Sequence, residues 1–262
     1  MSRARRALGL AAALALRAAA AAAGCAPAPE AEPPARIEFF ACPGAYEAQL
    51  LLLPEDADLL GRPPPGAVEA AGAYTATDRR AGGKPKPVGV FIRKGRRVSL
   101  ELARMDGLAL IGADGALRIA QVRAVPLGGR VHDLSTLAGR VAFARAAEGA
   151  GASAMQSHLL IREGALDLRP AEDAPRARRR ILFQRADGAV GLWNSGAPLT
   201  LHEAALALAA QAAPRMALNL DAGSHDYCLA AEPGGAVRIC GAVGPEAAGR
   251  LSNALRLAPA RP

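Results

Sequence analysis

The sequence predicts an α+β fold with a mixed but largely antiparallel sheet and a few packed helices. Strand-like segments dominate residues 37 to 125, whereas clear helical patterns come only later in the chain. Two Asp-Gly pairs, Asp114-Gly115 and Asp187-Gly188, each separate short apolar segments, which is a strong local signal for a β-hairpin. Hairpins followed by helices favour an α+β arrangement over alternating βαβ units.

Two helices are predicted in the second half of the chain. The first covers roughly Leu134 to Glu148, with Asp133 placed to accept the free N–H groups of the first turn. The second begins at Thr200, because Thr200 and Glu203 have the spacing of a capping box.

The chain after the second helix is predicted to contain a strand and a third helix. The apolar run from Met216 to Leu220 has the length and composition of a buried strand. A third helix, from about Glu246 to Leu257, is expected to close the domain.

The N-terminal residues have the pattern of a secretion signal. Arg3, Arg5 and Arg6 precede a small apolar run at positions 11 to 23, which Arg17 interrupts and which ends just before Cys25. The run is shorter than the roughly 20 strongly apolar residues that span a bilayer. We therefore expect residues 1–24 to be a signal peptide, residues 25–36 a Pro/Ala-rich tether and residues 37–262 the folded domain.

The segment ending at Cys25 also resembles a lipobox, in which the cysteine becomes the lipidated N-terminus. It reads Ala-Ala-Gly-Cys and is followed by a Pro-rich stretch that suits a spacer. Lipidation of Cys25 is the interpretation that this pattern favours. The alternative is cleavage at a nearby Ala-x-Ala site. Either way the protein is expected to be exported, as a periplasmic protein or a membrane-anchored lipoprotein.

Charge and composition argue against nucleic acid as a partner. The formal net charge is +8, and loss of the four arginines in residues 1–24, which contain no acid, lowers it to +4 (8 − 4). The basic run at positions 176 to 180 is short and has no interleaved aromatic residues. Contact with a membrane is expected only through an N-terminal lipid.

The remaining cysteines are Cys42, Cys228 and Cys240. The last two flank a Pro-Gly-Gly turn between two strand-like segments. In an oxidising compartment this arrangement favours a disulfide, with Cys42 left unpaired. The alternative is a pair of small buried apolar side chains. The spacing of the three cysteines does not fit a zinc site, and no metal or other cofactor is assigned.

The segment from Met216 to Ser224 carries the clearest functional pattern. An apolar strand brings Asn219 to its end and releases Asp221 into a loop of small residues that includes Gly223. Strand ends are places where side chains and loop N–H groups converge on ligands. From the residues alone, Asp221 is either a catalytic or binding group or the cap of its own turn.

This segment resembles the AlNLDGGgS signature of the phosphodiester glycosidase family, and three other segments match that family in the same order. They are Pro87 to Gly95, Met155 to Gly164, and the arginines 178–180 before the Asp-Gly turn at 187–188. The resemblance covers about residues 66 to 243. It implies a phosphodiester glycosidase-like fold and an exported hydrolase that cleaves the bond between a sugar's anomeric carbon and a phosphodiester.

The resemblance also implies roles for named residues. Asp221 is the expected carboxylate at the anomeric carbon, where an oxocarbenium-like transition state develops. His158 and His225 are the expected proton-transfer groups. Substrate-binding residues are expected to be the phosphate-binding arginines and the groups that hold sugar hydroxyls or line the loop: Gln156, Arg179, Arg180, Asn219, Gly223 and Ser224. A single cleft is expected at the end of the strand from Met216 to Leu220, and Gln156, an arginine of the 178–180 run, Asn219 and Asp221 are expected to point into it. The expected substrate is a sugar-phosphate or a glycan.

Simpler interpretations remain open for several of these residues. His158 suits a core or edge histidine, and the 176–180 arginines suit a solvated strand edge. The family's upstream Asn is absent, since the corresponding place reads Ala71-Gly72-Ala73-Tyr74, and the glycine loop is shortened. The rival hypothesis is therefore a catalytically degenerate envelope lipoprotein of the same fold that binds a glycan or a protein.

Overall fold

A computed structural model describes residues 25–79 and 82–260. The predicted signal peptide lies outside these residues. Twenty strands are numbered in chain order: β1 (Arg36–Ala41), β2 (Tyr46–Leu52), β3 (Val68–Ala71), β4 (Thr75–Asp78), β5 (Lys84–Pro87), β6 (Phe91–Arg93), β7 (Arg96–Ser99), β8 (Gly107–Ile111), β9 (Leu117–Gln121), β10 (Val125–Leu127), β11 (Arg130–His132), β12 (Ser153–Ser157), β13 (Leu159–Arg162), β14 (Ala165–Leu166), β15 (Ala177–Gln184), β16 (Val190–Leu199), β17 (Met216–Asn219), β18 (Cys228–Ala231), β19 (Val237–Ile239) and β20 (Asn253–Pro259).

Three large sheets share one apolar core. Their strand orders are β1-β16-β15-β17-β13-β14, β7-β6-β12-β8-β9 and β19-β18-β3-β20-β2, and every ladder within them is antiparallel. Each sheet contributes buried side chains to this core, among them Leu182, Phe91 and Leu255. The α+β class with a largely antiparallel sheet is confirmed.

Two α-helices cover the outer faces of two of these sheets. Helix α1 (Leu137–Ala150) buries Phe143 and Ala147 against the sheet that contains β6, β8 and β12. Helix α2 (Leu201–Ala212) packs Ala205 and Leu208 on the six-stranded sheet. Among the described residues, no helix is long and apolar enough to cross a membrane.

The predicted caps have different outcomes in the two helices. The capping box of α2 is confirmed, because the Glu203 N–H donates to Thr200 Oγ1 and the Thr200 N–H donates to Glu203 Oε2. The start predicted for α1 was wrong by three residues. Thr136 is its N-cap, and Asp133 instead accepts the N–H of Ser135 in the preceding turn.

The third predicted helix is also wrong. Residues Pro245–Arg250 form a 3₁₀ helix, and the following residues form β20, which lies between β2 and β3. Leu255 and Leu257 are both buried there. Pairing on both edges satisfies the backbone of this segment, so tertiary context outweighs its local helical pattern.

Both predicted hairpins with Asp-Gly turns are confirmed, as β8–β9 and β15–β16. The disulfide between Cys228 and Cys240 is confirmed as well. The expectation that Cys42 is unpaired was wrong, because Cys42 forms a disulfide with Cys25. A lipid thioether would need the same Cys25 sulfur, so this disulfide and lipidation exclude each other within one molecule.

The segment expected to be a tether packs against the domain in this structure. Ala35 is buried, and Ala31 packs on the apolar cluster beneath α2. The Ala26 N–H donates to Asp187 Oδ2 at 3.3 Å. The Cys25–Cys42 disulfide therefore closes a segment that already contacts the six-stranded sheet.

Candidate active site

Several of the residues that the sequence predicts to be functional lie close together at the end of β17. This strand lies between β15 and β13, with Asn219 opposite Ile181 and Leu218 opposite Leu159. The Asn219 N–H donates to the His158 carbonyl at 3.0 Å. Antiparallel pairing on both sides thus brings the beginning of β13 and the middle of β15 to the end of β17.

The loop after β3 completes this arrangement from another sheet. The Gly72 carbonyl accepts the Asp221 N–H at 2.9 Å, and the Thr75 N–H donates to Asp221 Oδ2 at 2.9 Å. Tyr74 accepts a hydrogen bond from Asn219 Nδ2 at 2.5 Å. The β3 loop and the β17 end therefore form one connected polar unit.

Asn253 holds the β3 loop in place from the opposite side. Its Oδ1 accepts the Ala73 N–H at 2.7 Å, and its Nδ2 donates to the Ala73 carbonyl at 2.9 Å. A Cβ on Gly72 would lie 2.5 Å from Asn253 Oδ1. A glycine at position 72 is therefore required for this close approach.

Asp221 and His225 form a pair within the loop after β17. Asp221 Oδ2 lies 3.5 Å from Nδ1 of His225, and the Asp221 side chain is only 5 % exposed. Burial raises the pKa of Asp221. This effect outweighs His225 and the N–H groups that donate to the carboxylate, all of which lower the pKa. The Asp221 carboxyl group therefore holds a proton to higher pH than an ordinary aspartate.

Tyr74 and His158 lie side by side at the edge of this group. Their rings meet edge to face with centroids 5.6 Å apart. Burial lowers the pKa of His158, with Asp106 opposing and Arg179 reinforcing the change. The imidazole is therefore biased towards its neutral form, which can accept a proton. Burial raises the pKa of Tyr74 and keeps its hydroxyl protonated.

Arg179 is the cation of the site. It is half-buried, and it donates from Nε to the Leu199 carbonyl at 2.8 Å and from Nη2 to the Pro175 carbonyl. These bonds use two of the five N–H groups of a guanidinium. Its positive charge adds to the lowering of the His158 pKa by burial and partly opposes the raising of the Tyr74 pKa by burial.

One buried acceptor in the site lacks a partner. The Oδ1 atom of Asn219 has no hydrogen-bond partner although the residue is 1 % exposed. Its Nδ2 group is fully used, since it donates to Tyr74 and to the Leu220 carbonyl. An unpaired buried carbonyl is costly, and it is a ready acceptor for a hydroxyl group.

The structure does not support the role predicted for Gln156. Its side chain is fully buried, and Oε1 accepts the N–H groups of Val90 and Ala103. Its Nε2 donates to the carbonyls of Ala103 and Met105. All four hydrogen-bonding positions of the amide are occupied, so Gln156 fixes two loops and has none left for a sugar.

Arg180 is likewise not available to a phosphate in solution. Its side chain is 1 % exposed and lies 2.8 Å from Asp226 Oδ1. Its Nη1 also donates to the Tyr227 carbonyl at 3.1 Å. The substrate-binding role predicted for Arg180 is therefore replaced by a structural contact.

The open cleft predicted around Asp221 is also corrected. Asn219 and Asp221 are both nearly closed to solvent, whereas Tyr74, His158, Arg179 and His225 are partly exposed. Gly223 and Ser224 form an exposed 3₁₀ turn beside them. A cavity of about 670 Å³ lies elsewhere, lined by residues that include Gln49, Asp114 and Arg256.

Sequence reasoning missed Tyr74 and Thr75. The segment Ala71 to Tyr74 drew attention only because it lacks the family's Asn. The signal available in the sequence was Tyr74 itself, because a tyrosine combines an apolar ring with a hydroxyl group. Within residues 25–79 and 82–260, no group of three or more His, Cys, Asp or Glu side chains is arranged to hold a metal ion.

Comparison with known proteins adds a structural relationship. No protein-family profile and no curated protein sequence matches the chain. Among solved structures, it is similar to the catalytic domain of zebrafish N-acetylglucosamine-1-phosphodiester alpha-N-acetylglucosaminidase, auto-inhibited by its pro-peptide. The TM-score is 0.50 and the identity 12 %, over 83 % of this chain and 73 % of that chain.

Two further solved structures are similar over the same extent. A hypothetical protein from Synechocystis has a TM-score of 0.48 and 16 % identity, over 82 % of this chain and 57 % of that chain. A Burkholderia pseudomallei K96243 protein named as exported has a TM-score of 0.45 and 15 % identity, over 82 % and 72 %. At these identities the similarity to the zebrafish enzyme establishes the fold and leaves the reaction to be argued from the site.

Proposed function

We propose that this protein is a hydrolase that cleaves the bond between the anomeric carbon of a sugar and a phosphodiester. Its site is the group of side chains at the end of β17, namely Tyr74, His158, Arg179, Asn219, Asp221 and His225. The name of the zebrafish structural neighbour describes the same class of bond, and the four family-like segments of the sequence support the same assignment.

The observation that carries the proposal is the unit formed by Tyr74, Asn219 and Asp221. Direct hydrogen bonds there join the family-like segment at the end of β17 to Tyr74 and Thr75, which lie far away along the chain. The unit combines a buried carboxyl group of raised pKa, an unpaired amide oxygen and a protonated hydroxyl. Perturbed groups gathered in this way are typical of catalytic sites.

The reaction assigns a separate task to each group. The C1–O bond breaks, water adds its hydroxyl to C1, and the phosphate leaves as a monoester. Asp221 faces the positive charge that develops at C1. His158, biased towards its neutral form, accepts the proton of the attacking water. Arg179 donates to the phosphate oxygens, and Asn219 Oδ1 accepts a hydroxyl of the sugar.

The test is hydrolysis of a panel of sugar-1-phosphate diesters, followed by detection of the free sugar. Asp221→Asn keeps the size of the side chain and removes its charge, so we expect a loss on the order of 10²–10⁴-fold. Asp114→Asn is the matched control, because Asp114 is exposed in the β8–β9 turn and Asn retains its acceptor for the Ala116 N–H. Equal rates for wild type and Asp221→Asn would exclude Asp221 from the mechanism.

A second candidate function is binding of a glycan or a protein partner without turnover. The observation that favours it is the near-complete burial of Asn219 and Asp221, which leaves little access to the carboxyl group. Calorimetric binding of a sugar-1-phosphate diester without release of sugar would favour this candidate. Release of sugar would exclude it.

The place of action follows from the cysteines. Two disulfides are typical of a protein that folds in an oxidising compartment. We propose a periplasmic protein in which the Cys25–Cys42 disulfide, and not a lipid, occupies the Cys25 sulfur.

A further inference from the structure

Both ends of the loop after β17 contact the same residue, Arg180. The Arg180 carbonyl accepts the Leu220 N–H at 2.8 Å, just before the loop. Its guanidinium Nη1 lies 2.8 Å from Asp226 Oδ1 and donates to the Tyr227 carbonyl at 3.1 Å, just after the loop. One residue of β15 therefore fixes both ends of residues 221–226.

We call the contact of Arg180 with Asp226 at the C-terminal end of this loop the anchor, and Asp226 makes further hydrogen bonds there. Its Oδ2 accepts the Ala242 N–H at 2.9 Å, and its carbonyl accepts the same N–H at 2.9 Å. The Arg180 Nη2 group points to the Cys240 carbonyl at 3.4 Å. Asp226 is thus fixed by the guanidinium on one side and by the segment after Cys240 on the other.

The ion pair is fully enclosed, with Arg180 1 % and Asp226 3 % exposed. Removing two charges from water carries a large desolvation cost, and apolar replacements of such pairs are often as stable or more stable. Stability alone therefore explains this pair poorly. A requirement for one defined loop geometry explains it better.

The two members of the Asp221–His225 pair are held in different ways. Asp221 is fixed by the Gly72 carbonyl in the loop after β3 and by the Thr75 N–H at the start of β4. His225 is followed directly by Asp226, and the residues between the pair are the small Ala222, Gly223 and Ser224. The position of His225 thus depends on the anchor at Asp226.

We propose that Arg180 is a positioning residue that holds His225 against Asp221 through its ion pair with Asp226. This inference rests on the proposed function, in which Asp221 acts at the anomeric carbon. It assigns to Arg180 a task that differs from phosphate binding, and it predicts that loss of the anchor uncouples His225 from Asp221.

The experiment measures the coupling directly. The pKa of the Asp221 carboxyl group is followed by NMR in wild type and in His225→Gln, and we expect the substitution to raise this pKa further, because His225 opposes the rise that burial causes. The same comparison is made in the charge-balanced background Arg180→Met with Asp226→Asn. There we expect the change in the Asp221 pKa caused by His225→Gln to fall to less than half of its wild-type size. An unchanged shift would overturn the proposal.

The matched control is a second, largely buried ion pair, between Arg93 of β6 (17 % exposed) and Asp56 of the segment after β2 (7 % exposed). Arg93→Met with Asp56→Asn removes this pair, and we expect the full wild-type coupling to remain. If the Arg180→Met background fails to fold, Arg180→Lys replaces it. Lysine keeps the charge but lacks the fork whose Nη1 contacts Asp226 and Tyr227 while its Nη2 donates to the Cys240 carbonyl. A reduced shift is therefore expected, and a full shift contradicts the proposal.

Turnover is measured separately in the same proteins. Loss of coupling together with no hydrolysis by wild type would retain the positioning role and remove the proposed hydrolase function. Hydrolysis by wild type with full coupling in the Arg180 variants would retain the hydrolase function and remove the positioning role.

Discussion

Asn219 donates a hydrogen bond of 2.5 Å to the hydroxyl of Tyr74, a residue 145 positions earlier in the chain. The bond joins the strand that carries the clearest sequence signature to the loop in which the family's Asn is absent. Because Tyr74 accepts this bond, its own hydroxyl proton remains available for donation. The hydroxyl is therefore a candidate donor to the substrate.

Tyr74→Phe tests this donor. The ring that contacts His158 is retained, and only the hydroxyl is removed. We expect kcat to fall on the order of 10²-fold, the usual effect of losing one donor aimed at a transition state. The measurement is kcat and KM for release of sugar.

Tyr46→Phe is the control for this substitution. The Tyr46 hydroxyl is also buried, and it bonds to the backbone of Leu117 outside the site. We expect Tyr46→Phe to lower stability and to leave kcat unchanged. Equal activity of wild type and Tyr74→Phe would show that the hydroxyl has no part in the reaction.

Asp221 is expected to lower the stability of the folded protein as the pH rises. Its folded pKa lies above the ordinary aspartate value of about 3.9, so between these two values the folded state binds more protons than the unfolded state. Unfolding free energy then decreases with increasing pH through that window. Asp221→Asn cannot titrate, so this pH-dependent decrease in unfolding free energy is absent from the variant.

The thermal midpoints of wild type and Asp221→Asn should be compared by circular dichroism from pH 3.5 to pH 8. We expect Asp221→Asn to be the more stable protein at pH 8, with a difference that shrinks towards pH 3.5. A constant difference across the range would contradict a raised pKa for Asp221.

Gln156 is expected to affect stability and not substrate affinity. Gln156→Leu leaves backbone groups of Val90, Ala103 and Met105 without a partner. Val90 and Met105 are buried, and each unpaired buried group costs about 1–3 kcal/mol. Urea unfolding measures the change. Gln211→Leu, which loses only the bond from Trp193, should cost less. A raised KM for Gln156→Leu at unchanged stability would restore the role in sugar binding.

The Cys25–Cys42 disulfide predicts the chemical state of the N-terminal region. Proteolysis of the exported protein without reductant, followed by mass spectrometry, should recover a peptide pair linked through these cysteines. After reduction both should react with a thiol reagent. A diacylglyceryl mass on Cys25 would contradict the disulfide and support the lipobox interpretation.

The sequence by itself determined the elements whose signals are local. Three such elements are the capping box of α2, the Asp-Gly hairpins and the Cys228–Cys240 pair. Each depends on residues that are close together in the chain, so the interactions that form it lie within one short segment. The strand that ends at Asn219 and the placement of Asp221 in the following loop were determined in the same way. So was the α+β class, because hairpin and helix patterns appear in separate parts of the chain.

Only the tertiary structure decided the features that depend on distant partners. Residues 253–259 form a strand because β2 and β3 pair with both of its edges, which outweighs their local helical pattern. Gln156 is structural because backbone groups from other segments occupy all of its hydrogen-bonding positions. Arg180 is structural because it is buried in an ion pair with Asp226 and donates to the Tyr227 and Cys240 carbonyls. Tyr74 enters the site because Asn253 holds its loop beside β17. The sequence shows which side chains are polar. Which of their hydrogen-bonding positions stay unoccupied depends on the distant groups that the fold brings within about 3 Å.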